Sequence, residues 1–239
     1  MKKKILLALS ASALVVGAHA ADKTKELATH TEMGYIQTNG NTKTRTFNLD
    51  SKAQREWGVH GLNFVFDGQY AKDRDTTTKK KFFTELGYDY AYTPRLAFSY
   101  IAGYKYDAFS GYDYQAYTGP GIKYKAIVQD TQHLTLEANA LYSQDKIENP
   151  SETTSYAAYL ARASYDLQIN QNLKFTQDLS IRGSFEDGDN YFVYSKTALI
   201  SKISDMFSAG ISYKLDYANI PQAQYKTDET LTFNLIMDY

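Results

Sequence analysis

Apolar and polar residues alternate along most of the chain. In the last segment Leu231 and Phe233 share one face, and Thr232 and Asn234 share the other. A period of two is typical of a β-strand, because successive side chains of a strand point to opposite faces. The same alternation predicts strands in residues 82–92, 96–106, 112–126, 173–186 and 207–217.

The alternating segments and their connections together predict a barrel. The segments run for about 11 to 14 residues, whereas strands of soluble sandwiches usually have about 3 to 10. Two kinds of connection separate them, and an even number of strands places both termini on one side, as in outer-membrane barrels. We therefore predict an all-β fold, an antiparallel up-and-down transmembrane β-barrel of about 12 strands. The tight turns are predicted at residues 57–58, 93–94, 129–130, 170–171 and 204–205, and the polar outer loops at 38–42, 72–80, 109–111, 146–153, 186–190 and 219–224.

Aromatic residues give a second indication of a membrane barrel. The chain has 22 Tyr, 12 Phe and 1 Trp, and membrane barrels gather such rings where each strand crosses an interface. The alternation and the turns place rings near both ends of the strands. The predicted aromatic girdle contains Trp57, Tyr92, Tyr124, Tyr165, Phe175, Phe207 and Tyr239 at the periplasmic ends, and Tyr106, Phe185 and Tyr217 at the outer ends.

The first twenty residues have the pattern of a secretory signal peptide. Lys2, Lys3 and Lys4 precede an apolar stretch that ends at an A-x-A sequence, Ala18-His19-Ala20. The stretch is shorter than the roughly 20 residues that a membrane-anchoring helix needs. We therefore predict a signal peptide at residues 1–20 and a barrel domain at residues 21–239.

Composition excludes several other classes of protein. The chain has no Cys, which rules out a disulfide scaffold and a zinc ribbon. Without its signal peptide the chain is slightly acidic, so its charge does not attract nucleic acid. A soluble lipocalin-like barrel also has alternating strands, but its dry core would have to contain Arg162, Lys174 and Asp178, and such burial is costly.

The polar faces of the strands are expected to line the lumen. They carry both signs of charge, so a ladder of internal ion pairs is predicted. If the turn at residues 169–171 sets the register, Asp166 lies opposite Lys174 and Arg162 lies opposite Asp178. The ladder is either a charged constriction for solutes or polar filling of a wet interior, and its balanced charge argues against strong ion selectivity. The predicted ladder contains Lys105, Lys123, Arg162, Asp166, Lys174, Asp178, Arg182, Glu186, Lys214 and Asp216.

Motifs for catalysis, metals and cofactors are weak or missing. Hydrolysis by a nucleophile generally needs a nearby base, usually His. After the signal peptide the chain has only His30, His60 and His133, and the predicted topology places all three near the periplasmic end. We therefore expect no enzyme, cofactor or metal, with an outer-membrane barrel hydrolase as the alternative function. The stretch 186–190 lacks the spacing of a calcium loop and favours a tight turn.

Several short motifs resemble one known family. Gly34-Tyr35-Ile36-Gln37-Thr38-Asn39-Gly40-Asn41-Thr42 resembles the opening motif of the salt-induced outer membrane protein family, which is also known as a domain of unknown function. Gly119-Pro120-Gly121 resembles its central glycine pair, and Pro221 with Lys226-Thr227-Asp228 and the run to Tyr239 is similar to its C-terminus. The resemblance implies the outer membrane of a Gram-negative bacterium, reached by Sec-type export, and leaves the activity open.

These observations lead to a prediction of function and partners. We expect a narrow small-solute channel or a structural, stress-response envelope protein, in either case a monomer among outer-membrane lipids. The terminal Tyr239 resembles the signal read by the barrel assembly machinery, which is a partner implied by that resemblance. Lys72, Arg74 and the run 79–81 offer charges that could bind the phosphates of lipopolysaccharide, although a solvated basic loop is an alternative.

Overall fold

The chain forms a closed antiparallel barrel of twelve strands. A computed structural model describes residues 27–37, 44–148 and 151–239. Each strand pairs with its neighbours in sequence, and β1 pairs with β12 to close the ring. The predicted fold class and strand number are therefore confirmed. The strands are β1 Ala28–Gln37, β2 Thr44–Trp57, β3 His60–Asp73, β4 Thr76–Ala91, β5 Leu96–Asp107, β6 Tyr112–Val128, β7 Gln132–Ile147, β8 Glu152–Gln168, β9 Leu173–Ser184, β10 Tyr191–Lys202, β11 Phe207–Ala218 and β12 Thr227–Asp238.

The apolar face of the strands points away from the barrel axis. On β12, Phe233 is 64% exposed, whereas its neighbour Asn234 is 6% exposed and lies inside. The same holds on β11, where Ile211 is exposed and Ser212 is buried. A soluble barrel would have the opposite arrangement, so this outer surface is the lipid-facing side of a transmembrane barrel. Among the described residues, no helix is both long and apolar enough to cross a bilayer.

The two ends of the barrel differ in their connections. The terminus end holds Ala28 and Asp238 together with the connections 58–59, 92–95, 129–131, 169–172 and 203–206. The loop end holds Gln37, Thr44, Glu148 and Ser151 together with the connections 74–75, 108–111, 185–190 and 219–226. The longest connections lie at the loop end, as in barrels with outer loops. The predicted signal peptide and residues 38–42 of the family motif lie outside the described residues.

One predicted outer loop is wrong. Residues 72–80 were expected to form a loop, but β3 runs to Asp73 and β4 begins at Thr76. Only Arg74 and Asp75 connect the strands, and Arg74 has φ 54°. The Thr run that follows this turn favours a strand because β-branched residues pack well on a pleated surface.

A β-bulge changes the face of one predicted outward residue. Tyr112 and Tyr114 were expected on the same face, but the pairing of β6 with β7 shifts register between them. Because a bulge inserts one extra residue, the alternation is broken there. Tyr112 is buried inside the barrel, where its ring centre lies 6.2 Å from that of Phe192 on β10.

Part of the lumen has an apolar core. Ile101, Leu141, Tyr156, Ala158 and Leu160 form one buried cluster on the wall made by β5 to β8. Most other buried residues of the interior are polar or charged, with Tyr112, Ala198 and Ile236 as buried apolar residues outside the cluster. The inner surface therefore combines one packed apolar cluster with a network of charges.

Candidate functional site

Ion pairs inside the barrel include nine of the ten predicted ladder residues. The tenth, Glu186, lies past the end of β9 in the exposed loop 185–190, so its placement in the ladder is wrong. Arg182 is the ladder residue nearest to that loop, and it lies 3.5 Å from Asp145. The others pair as follows: Lys105 with Asp216, Lys123 with Asp89, Arg162 with Glu85 and Glu137, Asp166 with Lys174, Asp178 with Lys52, and Lys214 with Asp50 and Asp67.

The predicted register of β8 and β9 is wrong by two residues. Arg162 lies opposite Ser180 and Asp166 lies opposite Thr176. The Asp166–Lys174 pair still forms, on the diagonal, with 3.4 Å between Oδ1 and Nζ. The cause is the turn, because Asn170 Oδ1 accepts hydrogen bonds from the backbone of residues 172 and 173 at 2.9 and 3.0 Å. The turn is centred on residue 171, one residue later than predicted, so every pairing between the two strands moves by two.

A central belt of five charged residues joins two walls of the barrel. Strand register sets Glu32, Asp50 and Asp67 side by side on β1, β2 and β3. Lys196 and Lys214 are likewise paired on β10 and β11. The two rows meet, because Lys196 Nζ lies 2.6 Å from Glu32 Oε1 and Lys214 Nζ lies 2.5 Å from Asp50 Oδ1, with Asp67 also in contact. Opposite charges thereby satisfy each other where water is largely excluded.

A second set of ion pairs crosses the lumen from β4 and β5 to β11. Asp216 accepts hydrogen bonds from Lys81 at 2.6 Å and from Lys105 at 3.3 Å. Strand β5 lies directly opposite β11 in the ring. The two walls therefore approach within the combined reach of a lysine and an aspartate, and the lumen is narrow there.

A third set forms on the wall from β4 to β8. Both nitrogens of the Arg162 guanidinium donate to Glu85, at 3.0 and 2.9 Å, and one also donates to Glu137 at 3.2 Å. Tyr117 donates to Glu85 at 2.5 Å. Its ring passes over Gly103, where any Cβ would strike it. The glycine thus makes room for the tyrosine that completes this set.

The loop end is covered by the connection between β11 and β12. A Cβ at Gly111, in the connection 108–111, would lie 2.7 Å from the Cβ of Gln222. The loop 219–226 therefore crosses the mouth to the opposite wall. Below it is a cavity of about 160 Å³, lined in part by Tyr112, Tyr156 and Ile220.

Another cavity lies at the terminus end. Its volume is about 470 Å³, and it shares no lining residue with the cavity at the loop end. The central belt and the other cross-lumen pairs lie between the two ends.

The histidines lie at the terminus end, where the topology predicted them. His30 Nδ1 is 2.5 Å from Asp238 and its Nε2 is 3.1 Å from Glu32. His60 Nδ1 contacts the Tyr88 hydroxyl at 2.6 Å on the outer face. In the part of the chain that the structure describes, no cluster of three potential metal ligands is present.

The lysines of the run 79–81, which were considered for lipopolysaccharide binding, point in different directions. Lys79 donates to Thr230 at 2.9 Å and Lys81 pairs with Asp216, both inside the barrel. Lys80 lies outside, 5.8 Å from the centre of the Tyr106 ring. Placing these lysines in an exposed loop was wrong, and the cluster is split by strand alternation.

The predicted girdle residues lie at or near the ends of their strands. Tyr106, Phe185 and Tyr217 are at the loop end, and the other seven are at the terminus end. Their contact with the membrane interface stays a prediction. Those at the terminus end are Trp57, Tyr92, Tyr124, Tyr165, Phe175, Phe207 and Tyr239.

Several solved structures share this architecture. A NanC porin aligns with 8% identity and a TM-score of 0.51, over 88% of this chain and 98% of that one. The translocator domain of the autotransporter NalP from Neisseria meningitidis aligns with 10% identity and a TM-score of 0.44, over 89% and 86%. The KdgM porin in complex with disordered oligogalacturonate aligns with 9% identity and a TM-score of 0.40, over 90% and 98%. At these identities the likeness concerns the fold alone.

The family is established by sequence. No curated protein matches the chain at a significant level. The sequence model of one family, described as "Protein of unknown function, DUF481", matches residues 31–239. This range includes every strand of the barrel except the start of β1. The chain therefore belongs to the DUF481 family of proteins of unknown function.

Proposed function

We propose that the protein is a narrow outer-membrane channel for small polar solutes, held closed by its cross-lumen ion pairs in the state described. The observation that carries this proposal is the contact of Asp216 on β11 with Lys81 and Lys105 on the far wall. A polar lumen is what a water-filled passage requires. Because the pairs are made by side chains alone, they can separate while the barrel stays intact.

The charge balance of the lumen supports passage of neutral solutes rather than ions. A ring of one sign generates the field that selects ions. In the central belt, Lys196 and Lys214 face three carboxylates at close range. The positive and negative groups cancel most of their field, so we expect weak ion selectivity.

A second candidate is a structural barrel in the envelope. The apolar cluster of Ile101, Leu141, Tyr156, Ala158 and Leu160 favours it, because a lumen packed on one side stabilises the barrel and leaves little space. The stress-response role implied by the salt-induced family name belongs to this candidate. Its test is the amount of protein per cell at low and high NaCl.

The cellular setting is part of the proposal. The apolar outer face supports insertion in the outer membrane of a Gram-negative bacterium after Sec-type export. Tyr239 is well placed for the barrel assembly machinery: its backbone pairs with Thr29 at the seam of the barrel, and its side chain is 82% exposed. We propose a monomer with no catalytic role.

Single-channel recording in planar bilayers tests this function. Refolded wild-type protein should give rare, small current steps, and Asp216→Asn should give more frequent or larger ones because two lysines lose their partner. Asp113→Asn, at the partly exposed pair with Lys146 near the loop end, is the matched control and should behave like wild type. A wild-type current as large as that of an open porin would contradict the closed lumen. Silence from both wild type and Asp216→Asn would support the structural candidate.

A further inference from the structure

The cavity at the terminus end has the size of a ligand site. Its volume of about 470 Å³ lies within the range of about 300–1,000 Å³ that is usual for small-molecule sites. We name it the mouth cavity. Residues from the turns 169–172 and 203–206, from β1 and from β8 to β12 line it.

Charged groups at the mouth cavity already have partners. Each positive group pairs with a carboxylate, so a charged ligand would have to displace an existing ion pair. A hydrogen bond from Lys202 also lowers the pKa of Asp205, which favours the ionised carboxylate. The pairs are His30–Asp238 at 2.5 Å, Lys202–Asp205 at 2.8 Å and Lys174–Asp166 at 3.4 Å.

Neutral polar groups at the mouth cavity lack partners. Ser208 lines the cavity and is only 6% exposed, yet no other described residue hydrogen-bonds its hydroxyl. The side-chain amides of Gln171 and Asn172 also line the cavity, and the described part of the chain offers neither a hydrogen bond. Gln171 and Asn172 are exposed, and a free donor or acceptor on a cavity wall can bond a ligand in place of water.

We infer that the mouth cavity binds a small neutral polyhydroxyl solute, of the size of a mono- or disaccharide, which enters from the terminus end. Hydroxyl groups both donate and accept, so they match the two amides and the Ser208 hydroxyl together. A neutral ligand also leaves the three ion pairs intact. The inference deepens the proposed function, since it names the class of solute for the same lumen, and it rests on that function for its physiological role.

Calorimetric titration of the full-length mature protein tests the inference. The protein is placed in phosphatidylcholine nanodiscs, because glycoside detergents would supply a competing sugar. Glucose and maltose are the neutral probes, and glucosamine and glucuronate are charged probes of similar size. We expect saturable binding of a neutral probe and binding about tenfold weaker for both charged probes. Absence of saturable binding by glucose and maltose would overturn the inference, as would tighter binding of a charged probe.

Paired variants locate the binding. Gln171→Ala with Ser208→Ala removes two of the unpartnered groups and should weaken the neutral probe about tenfold. Gln129→Ala with Ser180→Ala is the matched control, with one residue in another turn at the same end and one inside the lumen, neither lining the cavity. Equal affinities for the two double variants would overturn the assignment to this cavity.

Conductance of the same preparations separates this inference from the channel proposal. Binding with silent bilayers would leave the solute site in place and remove the channel. Current without binding of glucose or maltose would support the channel and overturn the solute site. Current that neutral probes block from the terminus side alone would support both.

Discussion

Lys105 on β5 and Asp216 on β11 lie on opposite walls of the barrel, yet the Nζ of the lysine is 3.3 Å from Oδ1 of the aspartate. Asp216 holds Lys81 from the neighbouring strand at the same time, at 2.6 Å. Contact across the whole ring needs walls that approach closely. This pair therefore marks a constriction of the lumen.

Replacing Asp216 should destabilise the barrel. In Asp216→Asn, the ammonium groups of Lys81 and Lys105 lose their carboxylate partner. Lys81 is 8% exposed, and removal of one partner of a buried pair typically costs about 3 to 5 kcal/mol. We expect the free energy of unfolding to fall by about 3 kcal/mol, measured by urea titration in lipid vesicles. Asp205→Asn, which breaks the exposed pair with Lys202, should leave it unchanged. Equal effects of the two substitutions would contradict a buried constriction.

Removing Lys214 should make the lumen prefer cations. The side chain contacts both Asp50 and Asp67, so Lys214→Met leaves one lysine against three carboxylates in the central belt. Rings of one sign favour the opposite ion. The reversal potential of the residual current across a KCl gradient should shift toward that of K⁺. Lys146→Met removes the same charge from a pair at the loop end, Lys146–Asp113, and should cause no shift.

Gly111 should hold the loop 219–226 across the mouth. The residue has φ +78°, and a Cβ there would lie 2.7 Å from the Cβ of Gln222. Gly111→Ala is therefore strained in its backbone and also displaces the loop. We expect a loss of about 1 kcal/mol in the free energy of unfolding and faster trypsin cleavage after Lys226. Gly188→Ala, where a Cβ meets nothing within 4 Å, is the control. Unchanged cleavage in Gly111→Ala would show that the loop does not depend on this contact.

Gly103 should be needed for the third set of ion pairs, in which Glu85 binds Arg162 and Tyr117. A Cβ at this position would strike the Tyr117 ring, whose hydroxyl donates to Glu85. Gly103→Ala should cost about 1 to 3 kcal/mol of unfolding free energy, as overpacking does. Gly87→Ala is matched to it, because its Cβ would meet Asn63 and Ile101 no closer than 3.7 Å. If both substitutions had the same small effect, the result would contradict close packing of the Tyr117 ring over Gly103.

The sequence predicted the strands and their faces but not every register. Alternation identifies the outward side of β11 and β12 because one face is uniformly apolar. It fails where a bulge inserts a residue, as at Tyr112. It also fails where one side chain sets the position of a turn, as Asn170 does between β8 and β9. The centre of that turn lies one residue later than predicted, which shifts the pairing by two.

The cross-lumen contacts could not be predicted from local pattern. Lys214 meets Asp67 only after the ring has closed and the stagger of its strands is fixed. The closure of the ring and the stagger of its strands cannot be predicted from the sequence of a single strand. The mouth cavity was missed for the same reason, since Ser208 and Gln171 come together from separate hairpins. The sequence did indicate that the lumen contains ion pairs, because alternation placed charges of both signs inside the barrel. It did not indicate which charges pair with each other.

A cysteine scan along β11 tests the central claim most directly, because the chain has no native Cys. Single cysteines at residues 207–217 would carry a fluorophore, and brominated lipids in the bilayer would quench it. Strong quenching is predicted at 209, 211 and 213, whose side chains are exposed on the outer face, and little at 208, 212 and 214, whose side chains are buried in the lumen. Quenching with the opposite parity, or with no alternation, would contradict a barrel whose apolar face meets lipid and whose charges enclose the axis.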